Sequence, residues 1–316
     1  MTSTSTSRPF GAVLTAMVTP MALDGAVDLE AAVRLARHLV DQGNDGLVLN
    51  GTTGEAPTTH APEKAELVAA VVDAVGDRAV VVAGAGSNDT AHAVRMAEQA
   101  AQAGAHGLLV VSPYYSRPSQ DGVVAHTVAV ADATDLPVML YDVPGRTGLR
   151  YAPATLDRLA EHDRIVALKD ATGDQWGMSA VTRRTGLAWY AGDDTAFLAL
   201  LALGGAGIVS VVGHVAARRL ADVAAAVDAG DLVRARQVWA ATAPALDAVN
   251  GAGFQAVAAK AALEALGLLA GRHVRLPLVP ADDEYVREIR TLLTAAGLGP
   301  LTSDGPGADG GAESLA

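Results

Sequence analysis

The sequence contains no cysteine, little lysine, few aromatic residues and no block of basic charge. Without a thiol there can be no disulfide, thiolate nucleophile or thiolate metal site. A formal net charge of −12 with no basic run repels polyanions, so nucleic acid and anionic membrane surfaces are poor partners. An anionic small molecule would have to be caught by a few local groups. The eight histidines are scattered without His-Glu-x-x-His or similar ligand spacing, and no metal or other cofactor is expected. Gly-x-Gly-x-x-Gly after the first strand candidate, the mark of a dinucleotide-binding sheet, is also missing. Gly84 and Gly86 follow the third candidate, but Asp89 stands at the third glycine position.

Half of the 316 residues are hydrophobic, which is enough for a large core and excludes disorder as the main state. Residues 1–9 are rich in Ser and Thr and lack the apolar core of a signal peptide, so a disordered tail and a cytoplasmic protein are expected. Residues 195–217 carry no Asp, Glu, Lys or Arg and are long enough to span a bilayer. Gly204, Gly205 and Gly207 divide that run into a short helix and a strand, both expected to be buried in a soluble core rather than in a membrane.

Short β-branched runs alternate with Ala-rich helical stretches along most of the chain. The strand candidates are 12–18, 46–50, 79–83, 107–112, 137–142, 165–169, 188–191 and 207–212, with helices expected at 29–42, 62–75, 91–103, 122–133, 153–161, 177–185 and 196–203. The strands are continuously apolar rather than alternating, so both faces are covered, as in a parallel sheet. Eight such units favour an α/β fold, a closed (β/α)₈ TIM barrel, over an open doubly wound sheet. Helices at 216–229, 231–249, 254–266 and 282–296 follow the last strand. The expected organisation is a tail at 1–9, a catalytic barrel at 10–229, a C-terminal helical region at 230–298 and a disordered tail at 299–316.

In such a barrel, chemistry gathers where strands run into the following helices. Those positions hold NGTTGE at 50–55, SPYY at 112–115, YDVPGRT at 141–147 and KDATG at 169–173. Lys169 directly follows the apolar run IVAL and is costly to bury without purpose. Of 23 basic residues only Lys64, Lys169 and Lys260 are lysine, and arginine cannot form a Schiff base. A strand-end amine in an apolar site has a lowered pKa, which supplies the neutral form that attacks a carbonyl. The alternative for Lys169 is an ion pair with Asp170 or a side chain snorkelling to solvent. Lys64 and Lys260 fall in amphipathic helices, where they are expected to be solvated or structural.

Tyr141 ends the strand before that of Lys169 and could face it, where a phenol can shuttle protons; a packed core tyrosine is the alternative. The GTTG turn at 51–54 offers hydroxyls and free backbone N–H groups, a cradle for a carboxylate. Arg146 could clamp a second carboxylate bidentately, or be an exposed surface arginine.

Taken with GDD at 192–194, these segments stand in the order and spacing of a known family. Over about 10–296 the chain resembles the pyruvate-dependent class I aldolases that include dihydrodipicolinate synthase and N-acetylneuraminate lyase. The resemblance implies that Lys169 condenses with pyruvate, that the imine becomes an enamine, and that the enamine attacks the aldehyde of aspartate 4-semialdehyde to give 4-hydroxy-tetrahydrodipicolinate, the first committed step towards diaminopimelate and lysine. It implies a proton relay of Tyr141, Thr53 and Tyr115, a pyruvate carboxylate held by Thr52 and Thr53, a semialdehyde carboxylate held by Arg146, and Gly192 and Val209 lining the site. Tyr115 would reach into a neighbouring subunit's site, implying a homo-oligomer, a tetramer built as a dimer of dimers.

Ala56 stands where many relatives have Ser, Ser116 where Asn is usual and Asp142 where Asn is common. Asn88 and Tyr114 match the family's inhibitory lysine site, whereas Ala61, Lys64 and His92 do not, so feedback by lysine is expected to be weak or absent. Two other readings stand beside the synthase. One is a sibling pyruvate aldolase acting on a sugar acid or another aldehyde, against which Arg146 speaks. The other is a catalytically silent barrel that binds a keto acid.

Overall fold

Eight parallel strands close into a barrel in sequence order: β1 (Val13–Ala16), β2 (Gly46–Leu49), β3 (Val80–Gly84), β4 (Gly107–Val111), β5 (Val138–Asp142), β6 (Ile165–Asp170), β7 (Ala188–Ala191) and β8 (Gly207–Ser210), with β8 pairing back onto β1. The computed structural model describes residues 7–299 apart from residue 252. The strands are apolar on both faces because each face has its own core. Leu14, Val48, Val82, Leu109, Met139, Ala167 and Val209 point into the barrel, while Val13, Leu47, Val81, Leu108, Leu140, Leu168 and Ile208 meet the helices outside. Phe10 plugs the N-terminal mouth, edge-on to Tyr190 at 6.4 Å between ring centres. A Cβ at Gly107 would come within 2.5 Å of the Phe10 ring, so only glycine starts β4 there.

The helices between strands are α1 (Leu29–Asp41), α2 (Ala61–Val75), α3 (Thr90–Gln102), α4 (Gln120–Asp132), α5 (Pro144–Thr147), α6 (Pro153–Leu159), α7 (Gln175–Thr185) and α8 (Phe197–Ala202). Their starts follow from side chains that satisfy the free N–H groups of the first turn. Asp28, Asp89, Ser119 and Asp174 each accept from a backbone N–H at the head of α1, α3, α4 and α7. After β8 come α9 (Gly213–Asp228), α10 (Leu232–Asn250), α11 (Gln255–Ala265) and α12 (Asp283–Ala295). Here α10 packs on α9 and α12, and α11 on both α10 and α12.

The expected (β/α)₈ barrel and helical appendage are therefore present, with local differences. Residues 144–147, expected as loop, form the single turn α5. The eighth strand stops at Ser210 rather than 212, because the N–H groups of Val211 and Val212 turn to the Asp194 carboxylate instead of a neighbouring strand. Helix α9 then starts at Gly213 and is kinked at Ala216. The apolar run 195–217 divides into α8 and β8 as expected, and no helix among the described residues is long and apolar enough to cross a membrane.

Residues 1–6 and 300–316, most of the two expected tails, lie outside the described residues. Arg8, placed in the N-terminal tail on sequence grounds, is anchored: its guanidinium bonds Asp228 at 2.6 and 2.9 Å and the Ala206 carbonyl at 2.7 Å.

Candidate active site

Alternation along β6 puts Ala167 inside the barrel, Leu168 outside and Lys169 inside again. The register pairs Lys169 with Tyr141 on β5 and Tyr190 on β7, so three inward side chains stand abreast. The Lys169 amine lies 4.3 Å from the centre of the Tyr141 ring. Lys169 is 6% exposed, and burial pulls its pKa down to about 8, with the Asp194 carboxylate working against that shift and the Arg146 guanidinium adding to it. Neither an Asp170 ion pair nor a snorkelling chain is found. Asp170 instead accepts from the Trp189 indole at 3.0 Å and the Thr172 N–H at 2.8 Å. Gly192 makes room for the lysine: a Cβ there would sit 3.0 Å from the Lys169 Cγ and from the Asp170 carbonyl oxygen.

Burial raises the Tyr141 pKa, and Arg146 and the Thr52 hydroxyl, which hydrogen-bonds the phenol, oppose that rise. Tyr141, Thr52 and Arg146 share a cavity of about 540 Å³ that extends past Gly84 and Tyr114 to Lys64, His60 and His92. No carboxylate lines it. Arg146, in α5, is exposed and lies over the Phe254 ring at 4.9 Å. Thr53 is buried, and Val209 points into the barrel core. Tyr115 does not line the cavity: it is 88% exposed and held in a left-handed conformation at φ 72°. Asn50, Glu55, Tyr115 and Arg117, all in the loops after β2 and β4, are the non-glycine residues of positive φ among those described, a concentration of backbone strain beside the cavity.

Asp194 and Asp142 are buried carboxylates without a role on sequence grounds. Asp194, noted there only as part of a motif, accepts from the Ser210 hydroxyl at 2.5 Å, the N–H groups of Val211 and Val212, and the Asn250 amide at 3.0 Å. It is the anion nearest in effect to the Lys169 amine. Its position between β7 and β8, with an apolar run on its C-terminal side, was the available signal. Asp142 is fully buried, and burial, reinforced by Asp170, pushes it up to about 7 against the Tyr151 N–H and Arg150, which favour the anion. Lys260, expected to be solvated or structural, is structural and buried, paired with Glu55. Among the described residues no group of three acidic, His or Cys side chains is placed to hold a metal ion.

Chemically, the arrangement offers a neutral amine at moderately alkaline pH, a phenol and a hydroxyl in contact beside it, and a guanidinium at the cavity wall. Residues 9–296 match the model of the dihydrodipicolinate synthetase family. The 4-hydroxy-tetrahydrodipicolinate synthase of Kineococcus radiotolerans is 57% identical over 94% of this chain and 96% of its own. A dihydrodipicolinate synthase from Cyanidioschyzon merolae, solved with lysine bound, is 40% identical and superposes with a TM-score of 0.88 over 92% of this chain and 100% of its own. One from Acinetobacter baumannii, complexed with pyruvate, is 34% identical with a TM-score of 0.87 over 92% and 99%.

Proposed function

The chain belongs to the dihydrodipicolinate synthetase family, and from that premise we propose how its own residues carry the reaction. The enzyme condenses pyruvate with aspartate 4-semialdehyde to 4-hydroxy-tetrahydrodipicolinate, on the route to diaminopimelate and lysine. The observation that carries the assignment of roles is the Lys169 amine, buried in the barrel, lowered to about 8 and lying against Tyr141.

In its neutral form Lys169 attacks the keto carbon of pyruvate, and loss of water leaves an imine. The protonated imine draws electrons from the methyl group, which gives up a proton to form the enamine. The enamine carbon then bonds to the aldehyde carbon of the semialdehyde, and the resulting alkoxide takes a proton. The amine of the second substrate finally attacks the imine carbon, closes the ring and expels the Lys169 amine. Tyr141, Thr53 and Tyr115 move the protons, with Thr52 hydrogen-bonded to the Tyr141 phenol. Thr52 and Thr53 hold the pyruvate carboxylate, Arg146 the carboxylate of the semialdehyde, and Gly192 and Val209 shape the wall around the lysine.

Tyr115 takes part only if a second copy of the chain receives it. An aromatic side chain this exposed, in a strained loop beside Tyr114, supports a dimer in which each subunit lends Tyr115 to the other, and a tetramer of two such dimers. The catalytic barrel spans 10–229 and the helical region 230–298, and the protein works in the cytoplasm.

The test is a coupled assay with pyruvate and aspartate semialdehyde, together with borohydride trapping. Wild-type protein is expected to turn over and to be labelled by pyruvate on Lys169, and Lys169→Ala to do neither. An unlabelled wild type, or a labelled Lys169→Ala, overturns the assignment. A second aldehyde used with a higher kcat/KM would point instead to the sibling aldolase reading, and labelling without turnover on any aldehyde to a keto-acid-binding barrel.

A further inference from the structure

Besides Lys169, one more of the three lysines is fully buried. Lys260, on α11 of the appendage, is 1% exposed, and its amine lies 2.5 Å from Glu55 Oε1 and 2.6 Å from the His273 carbonyl oxygen. The other carboxylate oxygen, Glu55 Oε2, accepts from the Arg275 N–H at 2.9 Å. Both oxygens of a buried carboxylate are thus held by groups more than 200 residues away in the sequence.

Glu55 closes the GTTGE turn that presents Thr52 and Thr53. Its backbone is left-handed at φ 57°, a region that residues with side chains adopt only when their surroundings hold them there. Its N–H donates to the Thr52 carbonyl at 3.1 Å, and the Thr19 hydroxyl donates to the carbonyl of Gly54 at 2.7 Å. The Arg275 guanidinium grips Glu63 at 2.5 and 2.8 Å and the Thr58 carbonyl at 2.8 Å, just past the same turn. A buried ion pair is usually no more stabilising than apolar side chains of the same volume, so stability alone gives no reason for this one. What the pair supplies is a fixed position for the turn.

We propose that Glu55 and Lys260 are positioning residues for pyruvate: their ion pair ties the turn bearing Thr52 and Thr53 to α11, so the appendage sets how well the first substrate's carboxylate is held. The proposal rests on the reading of Lys169 as the amine that condenses with pyruvate.

The test uses Glu55→Gln, Lys260→Met and the double variant in full-length protein. Pyruvate KM, semialdehyde KM and the pyruvate concentration for half-maximal borohydride labelling are measured, with Tm as the measure of folding. Wild type is labelled first; if it is not, the functional reading fails independently of this proposal. Removing both charges together leaves no buried unpaired ion, so the double variant is expected to fold with a Tm close to wild type. Its pyruvate KM and half-labelling concentration are expected to rise on the order of tenfold, as small misplacements of binding groups do, with semialdehyde KM changed less than about twofold. Should the double variant fail to fold, Glu55→Gln carries the same readout, because the amide puts an NH2 donor where one of the two accepting oxygens stood, facing either the Lys260 amine or the Arg275 N–H. A wild-type pyruvate KM in any folded variant overturns the proposal. So does activity that merely tracks the folded fraction with both KM values unchanged.

Discussion

Tyr141 and Lys169 are Cα partners across β5 and β6, and both side chains face into the barrel, with the lysine amine over the tyrosine ring. Parallel pairing puts the phenol beside the amine without any loop between them. Rigid strands hold the two groups together while the loops above them carry the substrate contacts.

The lowered Lys169 pKa has a direct kinetic consequence. Only the neutral amine attacks pyruvate, and burial brings its pKa to about 8. The kcat/KM for pyruvate is expected to climb about tenfold per pH unit on the acidic side and to level off above that pKa. A profile flat from about pH 6 to about pH 9 would show that this amine is not the group being titrated.

Tyr141→Phe removes the phenol oxygen and keeps the ring. Because general acid–base groups contribute about a hundredfold or more, kcat is expected to fall by at least that factor with Tm little changed. Thr52→Val, which deletes the hydroxyl bonded to the phenol, should lower kcat less and raise pyruvate KM as well. Steady-state kinetics with both substrates separates these effects, and an unchanged kcat in Tyr141→Phe would remove the phenol from the relay.

Arg146 lines the cavity wall and is oriented by the Phe254 ring. Loss of a charge-assisted contact to the semialdehyde carboxylate is expected to raise the semialdehyde KM on the order of tenfold to a hundredfold. Pyruvate labelling of Lys169 should persist in Arg146→Ala. Semialdehyde kinetics equal to wild type in that variant would show the substrate assignment to be wrong.

Asp142 is a fully buried carboxylate paired in register with Asp170, and its pKa is raised from 3.8 to about 7. The folded protein therefore binds this proton more tightly than the unfolded chain, so stability is lost as pH rises between those two values. Asp142→Asn stays neutral throughout. Its Tm is expected to exceed wild type at pH 8, by an amount corresponding to a few kcal/mol at most, with little difference near pH 4. Calorimetric scans giving the same Tm difference at both pH values would contradict this.

The cavity around Ala61, Lys64 and His92 carries the Lys64 amine and the Arg146 guanidinium but no carboxylate. A cationic amino acid bound there meets like charge with no compensating anion. Millimolar lysine is expected to leave the coupled assay nearly unaffected, and strong inhibition at that concentration would refute the expectation.

Much of this protein was legible in its sequence because the signals are local. The alternation of apolar runs with capped helices depends on neighbours a few residues apart, and so does the exceptional lysine after an apolar strand. Those features yielded the barrel, the strand-end loops and the amine. Strand lengths were less legible, since β8 ends where Asp194 captures the next two N–H groups, a contact 17 and 18 residues away. Three things belong to the tertiary structure alone. Barrel closure and register set Tyr141 against Lys169. The return of the appendage over the barrel buries Lys260 against Glu55, brings Phe254 under Arg146 and carries the Asn250 amide to Asp194. The pairing of β5 with β6 buries Asp142 beside Asp170, which adds to the rise in its pKa. Such pairings join segments whose separation in the chain carries no periodic signal, so only the closed, packed molecule decides which of them meet.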